Sequence, residues 1–426
     1  MNPKMEVLFG AFIAIEDGKI ASITKSAPEG TPSTIIDGTG MVAIPGLSNC
    51  HTHLANSVLR SYTDDLSAEE ALQTQLQKEA KMDSRCAKAS ALLSIAECLR
   101  FGVTSVSDLY YYPNATAEAI AESGIKGNLA LSAYRFIDEN EDFDFDTDEQ
   151  CQELARVVEK WHNHDNGRIR IDAGIHSEYT SNYKLWEALA GYACEQGIGV
   201  QLHLAQSRNE AESCMDRTGM GPGELLNCPR LFNVPATAAG CACLEAHERK
   251  LLGKKKVTAV ATPIAAARSG FPATPILESV KSGMNVALGT GGALECGNLD
   301  MFEVIRSAAL CERASAGNAS ALPASAALMM ATVTGAQAQG RSAECGMLVP
   351  GMDADIVLVD FSAPHLIPCH NVINSLVFAA KGGDVAMTMV RGNILYQNGC
   401  FPTIDLKEVV EELTSYAIPR LFDDAK

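Results

Sequence analysis

Two histidines two residues apart, His51-Thr52-His53, close the run Val42-Ala43-Ile44-Pro45-Gly46-Leu47-Ser48-Asn49-Cys50. On a β-strand, side chains at i and i+2 share a face, so both imidazoles can reach one ion. Neutral imidazole nitrogen suits zinc, iron, nickel or copper, and two ligands on one strand need little extra ordering. A His-x-His pair is common on surfaces. What singles this one out is the apolar approach through a Pro-Gly turn to a strand that ends in both rings. The other close pair of soft ligands, Cys241-Ala242-Cys243, lies in an apolar stretch and reads as buried filler.

A chain of 426 residues has room for one large catalytic domain and a smaller one. Hydrophobic residues at 47% and charged residues at 20% describe an ordinary globular protein rather than a disordered or fibrous one. A formal charge of -18 argues against nucleic acid or an anionic membrane surface as partner, and leaves a small molecule open. No apolar run approaches the length of a membrane span, and the N-terminus lacks the layout of a signal peptide. A cytoplasmic protein is therefore expected, its fourteen scattered cysteines reduced.

The elements that must position the histidines are legible in outline. Leu8 to Ile15 and Ile20 to Ile23 flank the turn Glu16-Asp17-Gly18-Lys19, and a Pro/Gly/Ser/Thr-rich connection leads through Ile35-Ile36 to the histidine strand. About 45 residues of hairpins cannot bury a core alone. Their partner reads out at the other end, as a strand at Ile356 to Asp360 and a hairpin of Val385 to Val390 with Ile394 to Tyr396. Both chain ends then form one small β-sandwich, residues 1–45 with 346–426, and a large domain, 46–345, is inserted between them. Within the insert, strands alternate with amphipathic helical segments. The strands are Ser105 to Leu109, Gly127 to Ala133, Ile169 to Ile175, Gly199 to His203, Thr237 to Leu244, Val257 to Ala261 and Asn285 to Gly289. With the histidine strand these make eight units, the count of an α/β fold of the (β/α)8 TIM-barrel type, whose functional residues sit at the C-terminal strand ends.

The strand entered through Pro-Gly and ending in His-Thr-His resembles the first barrel strand of the metal-dependent amidohydrolases, most of all the cytosine, guanine and adenosyl-type deaminases and triazine hydrolases. The segment Leu54 to Asp65 resembles the loop that covers their site, and Gly351-Met352-Asp353-Ala354-Asp355 is similar to one of their C-terminal marks. The resemblance runs from Gly18 to Gly399. It implies that His203, in Gln201-Leu202-His203-Leu204-Ala205-Gln206, joins His51 and His53 as a third ligand of one divalent metal, zinc or iron. It implies that His176, in His176-Ser177-Glu178-Tyr179-Thr180, contacts substrate. Three imidazoles at a barrel mouth leave a position open for water. The implied activity is deaminase-type hydrolysis of a C–N bond in a small heterocyclic or nucleoside-like substrate, and relatives of this shape are often homo-oligomers.

Four positions depart from the family pattern inside matching flanks. Gln206 stands where the family has a proton-shuttling glutamate, and an amide orients a substrate but carries no proton near neutral pH. Gly240 replaces a water-polarising histidine, Ala261-Thr262-Pro263 replaces His-Asn-Pro, and Gly291 replaces the aspartate of Gly-Thr-Asp-Gly. Two functional classes follow: a divergent hydrolase in which another group handles protons, or a catalytically inactive relative that binds a ligand or serves in an assembly. Glu295 and Glu178 are the nearest candidate carboxylates, although loop carboxylates are usually just solvated. Cys241 and Cys296 are candidate soft ligands whose ordinary role is that of small buried residues.

Overall fold

The computed structural model describes residues 5–28, 30–138, 141 and 143–423, so the outermost positions of the expected composite domain, 1–4 and 424–426, lie outside the described residues. Three strands come first: β1 (Phe12–Glu16), β2 (Lys19–Thr24) and β3 (Met41–Pro45). Eight follow with helices between them: β4 (Leu47–Thr52), β5 (Val103–Tyr110), β6 (Lys126–Leu131), β7 (Ile169–Ile175), β8 (Val200–Leu204), β9 (Ala236–Gly240), β10 (Thr258–Ala261) and β11 (Asn285–Leu288). The last are β12 (Ile356–Asp360), β13 (Val385–Val390) and β14 (Asn393–Gln397).

The strands β4 to β11 pair in sequence order and in parallel, as the eight-unit count predicts. Every residue of β4, β5 and β6 is buried, because helices cover the outside and side chains fill the inside. Between β11 and β4, side chains and single backbone bonds close the barrel. Asn49 Nδ2 donates to Thr290 Oγ1 at 2.8 Å, Thr290 N donates back to Asn49 Oδ1 at 3.0 Å, and Gly291 N donates to His51 O at 3.0 Å. The expected strand from Thr237 to Leu244 stops at Gly240. The reason is local: Gly240 and Cys241 both take positive φ, +99° and +56°, which ends extended backbone.

The chain ends do meet. In the sheet β14-β13-β12-β3, the N-terminal β3 pairs antiparallel with the C-terminal β12, Ile356 opposite Pro45 and Asp360 opposite Met41. The β1–β2 hairpin packs against it over a separate small core of Ile20, Leu348, Ala354, Ile356, Met387 and Met389. The two-stranded β1–β2 sheet and the four-stranded sheet supply the two facing layers of a sandwich. The fold is thus a (β/α)8 barrel with a small β-sandwich made from both ends of the chain. No helix among the described residues is long and apolar enough to cross a membrane.

Candidate active site

At the C-terminal mouth of the barrel, β4 delivers His51 from its last turn of pleat and His53 from one residue past its end. The strand β8 delivers His203, and His176 follows β7 directly. The ligand nitrogens of His51, His53 and His203 all lie within 4.8 Å of one another, with ring centroids 4.8 to 5.3 Å apart. His53 Nδ1 is 2.8 Å from Leu109 O, and His203 Nδ1 is 2.7 Å from His176 O. A carbonyl only accepts, so each ring carries its proton on Nδ1 and leaves the Nε2 lone pair for a cation. Burial, reinforced by the neighbouring imidazoles, holds His51 and His203 well below the ordinary histidine range. That favours neutral rings at His51 and His203, the form that binds metal. This donor set could hold one divalent metal and leave it an open position.

His176 lies 5.1 Å from the His203 ring, with Nδ1 3.1 Å from Thr180 Oγ1. Burial, with the adjacent His53, pushes it down to about 4. Gln206 occupies a turn in which Ala205 takes φ +47°. Buried Glu210 holds that turn by accepting from Ala205 N and Gln206 N, each at 2.8 Å. A Cβ added at Gly240 would lie 2.6 Å from Gln206 Cγ, so the Gln206 side chain fills the space in front of Gly240.

The carboxylates are arranged otherwise than the sequence suggests. Glu178 is not a solvated loop residue but only 1% exposed, and Arg217 Nη2 donates to it at 2.6 Å. That ion pair ties it to the helix Arg208–Thr218, outside the histidine cluster. Glu295 is half-buried and accepts from Asn56 Nδ2 at 2.9 and 3.1 Å. The Cys241 thiol is buried, donates to Ala238 O at 3.5 Å and is raised by burial. Burial pushes Cys296 up to about 12. Neither thiol joins a candidate ligand group among the described residues.

Two buried carboxyl groups escaped the sequence reading. Asp108, near the end of β5, accepts from Leu54 N at 2.6 Å and Thr52 Oγ1 at 3.2 Å, so it brackets His53 from both sides. Burial, partly offset by these bonds, pushes it up to about 6. A charged residue inside the otherwise uncharged strand Val103–Tyr110 was the available signal. Glu79, at the end of the helix Ala68–Glu79, is 6% exposed and accepts from the Tyr110 hydroxyl and from Gln75 Nε2. Tyr110 in turn lies 6.0 Å from the His53 ring. Glu79 Oε2 is buried without a partner. Nothing in the local sequence marks Glu79, because helix and barrel meet there only in three dimensions.

Residues 42–395 match the model of the amidohydrolase family. The chain is 34% identical over 418 residues to the 5'-deoxyadenosine deaminase of Methanosarcina acetivorans, covering 98% of this chain and 95% of that one. It is also 34% identical to the 5-methylthioadenosine/S-adenosylhomocysteine deaminase of Moorella thermoacetica, covering 94% of this chain and 93% of that one. An adenosine deaminase from Xanthomonas campestris, crystallised with bound zinc, superposes with a TM-score of 0.92 at 26% identity. It covers 98% of this chain and 95% of its own.

Proposed function

The chain belongs to the amidohydrolase family, and on that premise we propose that it is a metal-dependent, deaminase-type hydrolase of a small nucleoside-like substrate. The observation that carries this reading is the convergence of three imidazoles, with the Nδ1 atoms of His53 and His203 anchored on backbone carbonyls. His51, His53 and His203 would hold the metal, zinc or iron, in the barrel, residues 46–345. A metal of this kind supplies a Lewis acid that brings the pKa of water close to neutral.

The chain's own residues do the rest. His176, neutral and beside His203, hydrogen-bonds the substrate. The Gln206 amide orients the heterocycle through one acceptor and two donors, without carrying a proton. The unpartnered Glu79 Oε2 accepts from a substrate donor. A positioned acid or base contributes about 10²–10⁴-fold, and Gln206 forgoes that factor, so slow turnover is expected. The relatives suggest 5'-deoxyadenosine, 5'-methylthioadenosine and S-adenosylhomocysteine as first substrates. The setting in this reading is the cytoplasm, where fourteen free thiols stay reduced, and the working form is a homo-oligomer.

Elemental analysis of protein purified without added metal or chelator, followed by an ammonia-release assay on those three substrates, tests the reading. About one equivalent of metal per chain is expected, with chelator-sensitive ammonia release and loss of metal in His51→Ala. A folded protein that refuses zinc and iron and releases no ammonia would instead be an inactive, ligand-binding relative.

A further inference from the structure

Hydrolysis of a C–N bond needs a group that takes a proton from the attacking water, and the Gln206 amide cannot be that group. The other carboxylates near the mouth already have firm partners. Glu178 is paired with Arg217, and Glu210 accepts from Ala205 N and Gln206 N. Asp108 accepts from Leu54 N and Thr52 Oγ1, and Glu79 from the Tyr110 hydroxyl. Glu295 is different. Among the described residues no lysine or arginine pairs with its carboxylate; Arg268 reaches its backbone carbonyl, at 3.0 Å, and pairs with Asp64 instead. The donor that its carboxylate meets is a neutral amide, Asn56 Nδ2, at 2.9 and 3.1 Å.

Contacts tie Glu295 to the histidine strand from two sides. Asn56 is fully buried, and its backbone N donates to His53 O at 3.1 Å. Gly291, four positions before Glu295, donates its N–H to His51 O at 3.0 Å, and a Cβ built there would lie 3.8 Å from Glu295 Cβ. Position 291 carries no side chain, so the carboxylate on this edge of the mouth comes from position 295. Gly292 leaves the notch in which the pair sits: a Cβ there would overlap both polar atoms of the Asn56 amide and Glu295 Oε2. Asn56 Oδ1 and Glu295 Oε2 thus flank one small space, and Asn56 Oδ1 is buried without a partner. Two acceptors side by side call for a ligand with two hydrogens, which water has.

We propose that Glu295 is the general base of the hydrolysis, held in place by Asn56. This inference rests on the deaminase reading above and names the proton acceptor that reading needs. Water gives one proton to the Glu295 carboxylate as its oxygen bonds to the substrate carbon, while Asn56 Oδ1 accepts from its other hydrogen. The C–N bond then breaks, the proton on Glu295 passes to the departing amino nitrogen, and ammonia leaves with the carboxylate restored.

Zinc-loaded wild type and variants, assayed for ammonia release from 5'-deoxyadenosine, 5'-methylthioadenosine and S-adenosylhomocysteine, test it. Glu295→Gln is expected to lower kcat by about 10²–10⁴-fold, with metal content and calorimetric affinity for the substrate as in the wild type. Added formate is expected to restore part of the rate of Glu295→Ala, by supplying the missing carboxylate from solution. Asn56→Ala, which frees the Glu295 side chain, is expected to lower kcat by a smaller factor at unchanged KM. An unchanged kcat in Glu295→Gln, or a loss of rate matched by loss of metal or of substrate affinity, would overturn the inference and leave the deaminase reading standing. No ammonia from the wild type on any of the three nucleosides would overturn the deaminase reading and the inference with it.

Discussion

Gln206 differs from glutamate by an NH2 in place of one oxygen, so Gln206→Glu changes protonation without changing shape. Its turn is held through the backbone by Glu210, which the substitution leaves in place. Ammonia release in Gln206→Glu is expected to rise, by up to about 10²–10⁴-fold if proton transfer limits the reaction. Steady-state kinetics at equal metal content reads this out, and no gain would locate the block at Gly240 and Gly291 instead. Restoring those two is harder. Gly240 has φ +99°, and a Cβ there meets Gln206 Cγ at 2.6 Å. Gly291 has φ +70°, with its nearest neighbour, Ala265 Cβ, at 3.5 Å. Gly240→His is therefore expected to cost about 1–3 kcal/mol of backbone strain, seen as a lower melting temperature, with Gly291→Asp the milder of the two.

The metal-site element is the end of β4 with the segment after it, and Asp108 organises it from the neighbouring strand. Its carboxylate takes the Leu54 N–H and the Thr52 hydroxyl, the groups on either side of His53. Asp108→Asn keeps the shape and removes the charge that gathers those donors. Groups that orient ligands in this way are worth about 10–100-fold in metal affinity, and a loss in that range is expected by competition with a chromophoric chelator. An unchanged affinity would show that the pairing of β4 with β5 alone holds His53. The seam bonds between Asn49 and Thr290 act on the opposite side of the same strand, so His51 is set by barrel closure and His53 by Asp108.

At the scale of the whole molecule, the chemistry sits at one end of the barrel and the sandwich is latched to the other. Lys126, the first residue of β6, is completely buried and reaches Asp353 at 2.8 Å and Asp355 at 2.7 Å. Lys19 and Arg391 close around Asp353 from the sandwich. This gives the Gly-x-Asp-Ala-Asp motif a mechanical meaning: it is the socket for a barrel lysine. Lys126→Met leaves the two carboxylates without their buried partner and is expected to destabilise by about 3–5 kcal/mol in urea unfolding. Burial raises the Asp353 carboxyl, but hydrogen bonds from Lys126, Lys19 and Arg391 outweigh it and hold it at about 2. A depressed folded-state pKa stabilises fully above the ordinary carboxylate value of 3.8 and loses that contribution as pH falls through 2. The latch is therefore expected to hold at pH 5 and to weaken between about pH 4 and 2, a loss that Asp353→Asn should flatten in a pH series of unfolding midpoints.

The barrel, the return of the chain to its starting sheet and the histidine pair were all legible in the sequence. Strand alternation and the i, i+2 rule depend only on neighbouring residues, and β5 and β7 lie within two residues of where the pattern puts them. The end of β9 at Gly240 was missed because positive φ at two successive residues leaves no mark in an apolar run. What the carboxylates do was decided by tertiary structure alone. Glu178 is drawn into an ion pair with a helix thirty-odd positions later, Glu295 is captured by Asn56 across the barrel seam from 239 positions away in sequence, and Glu79 reaches the mouth on a helix that carries no signal for it. Local sequence dictates what a backbone segment becomes, because its hydrogen bonds and side-chain period are local. Whether a buried charge has a partner depends on atoms tens to hundreds of residues away, and only the packed chain brings them together.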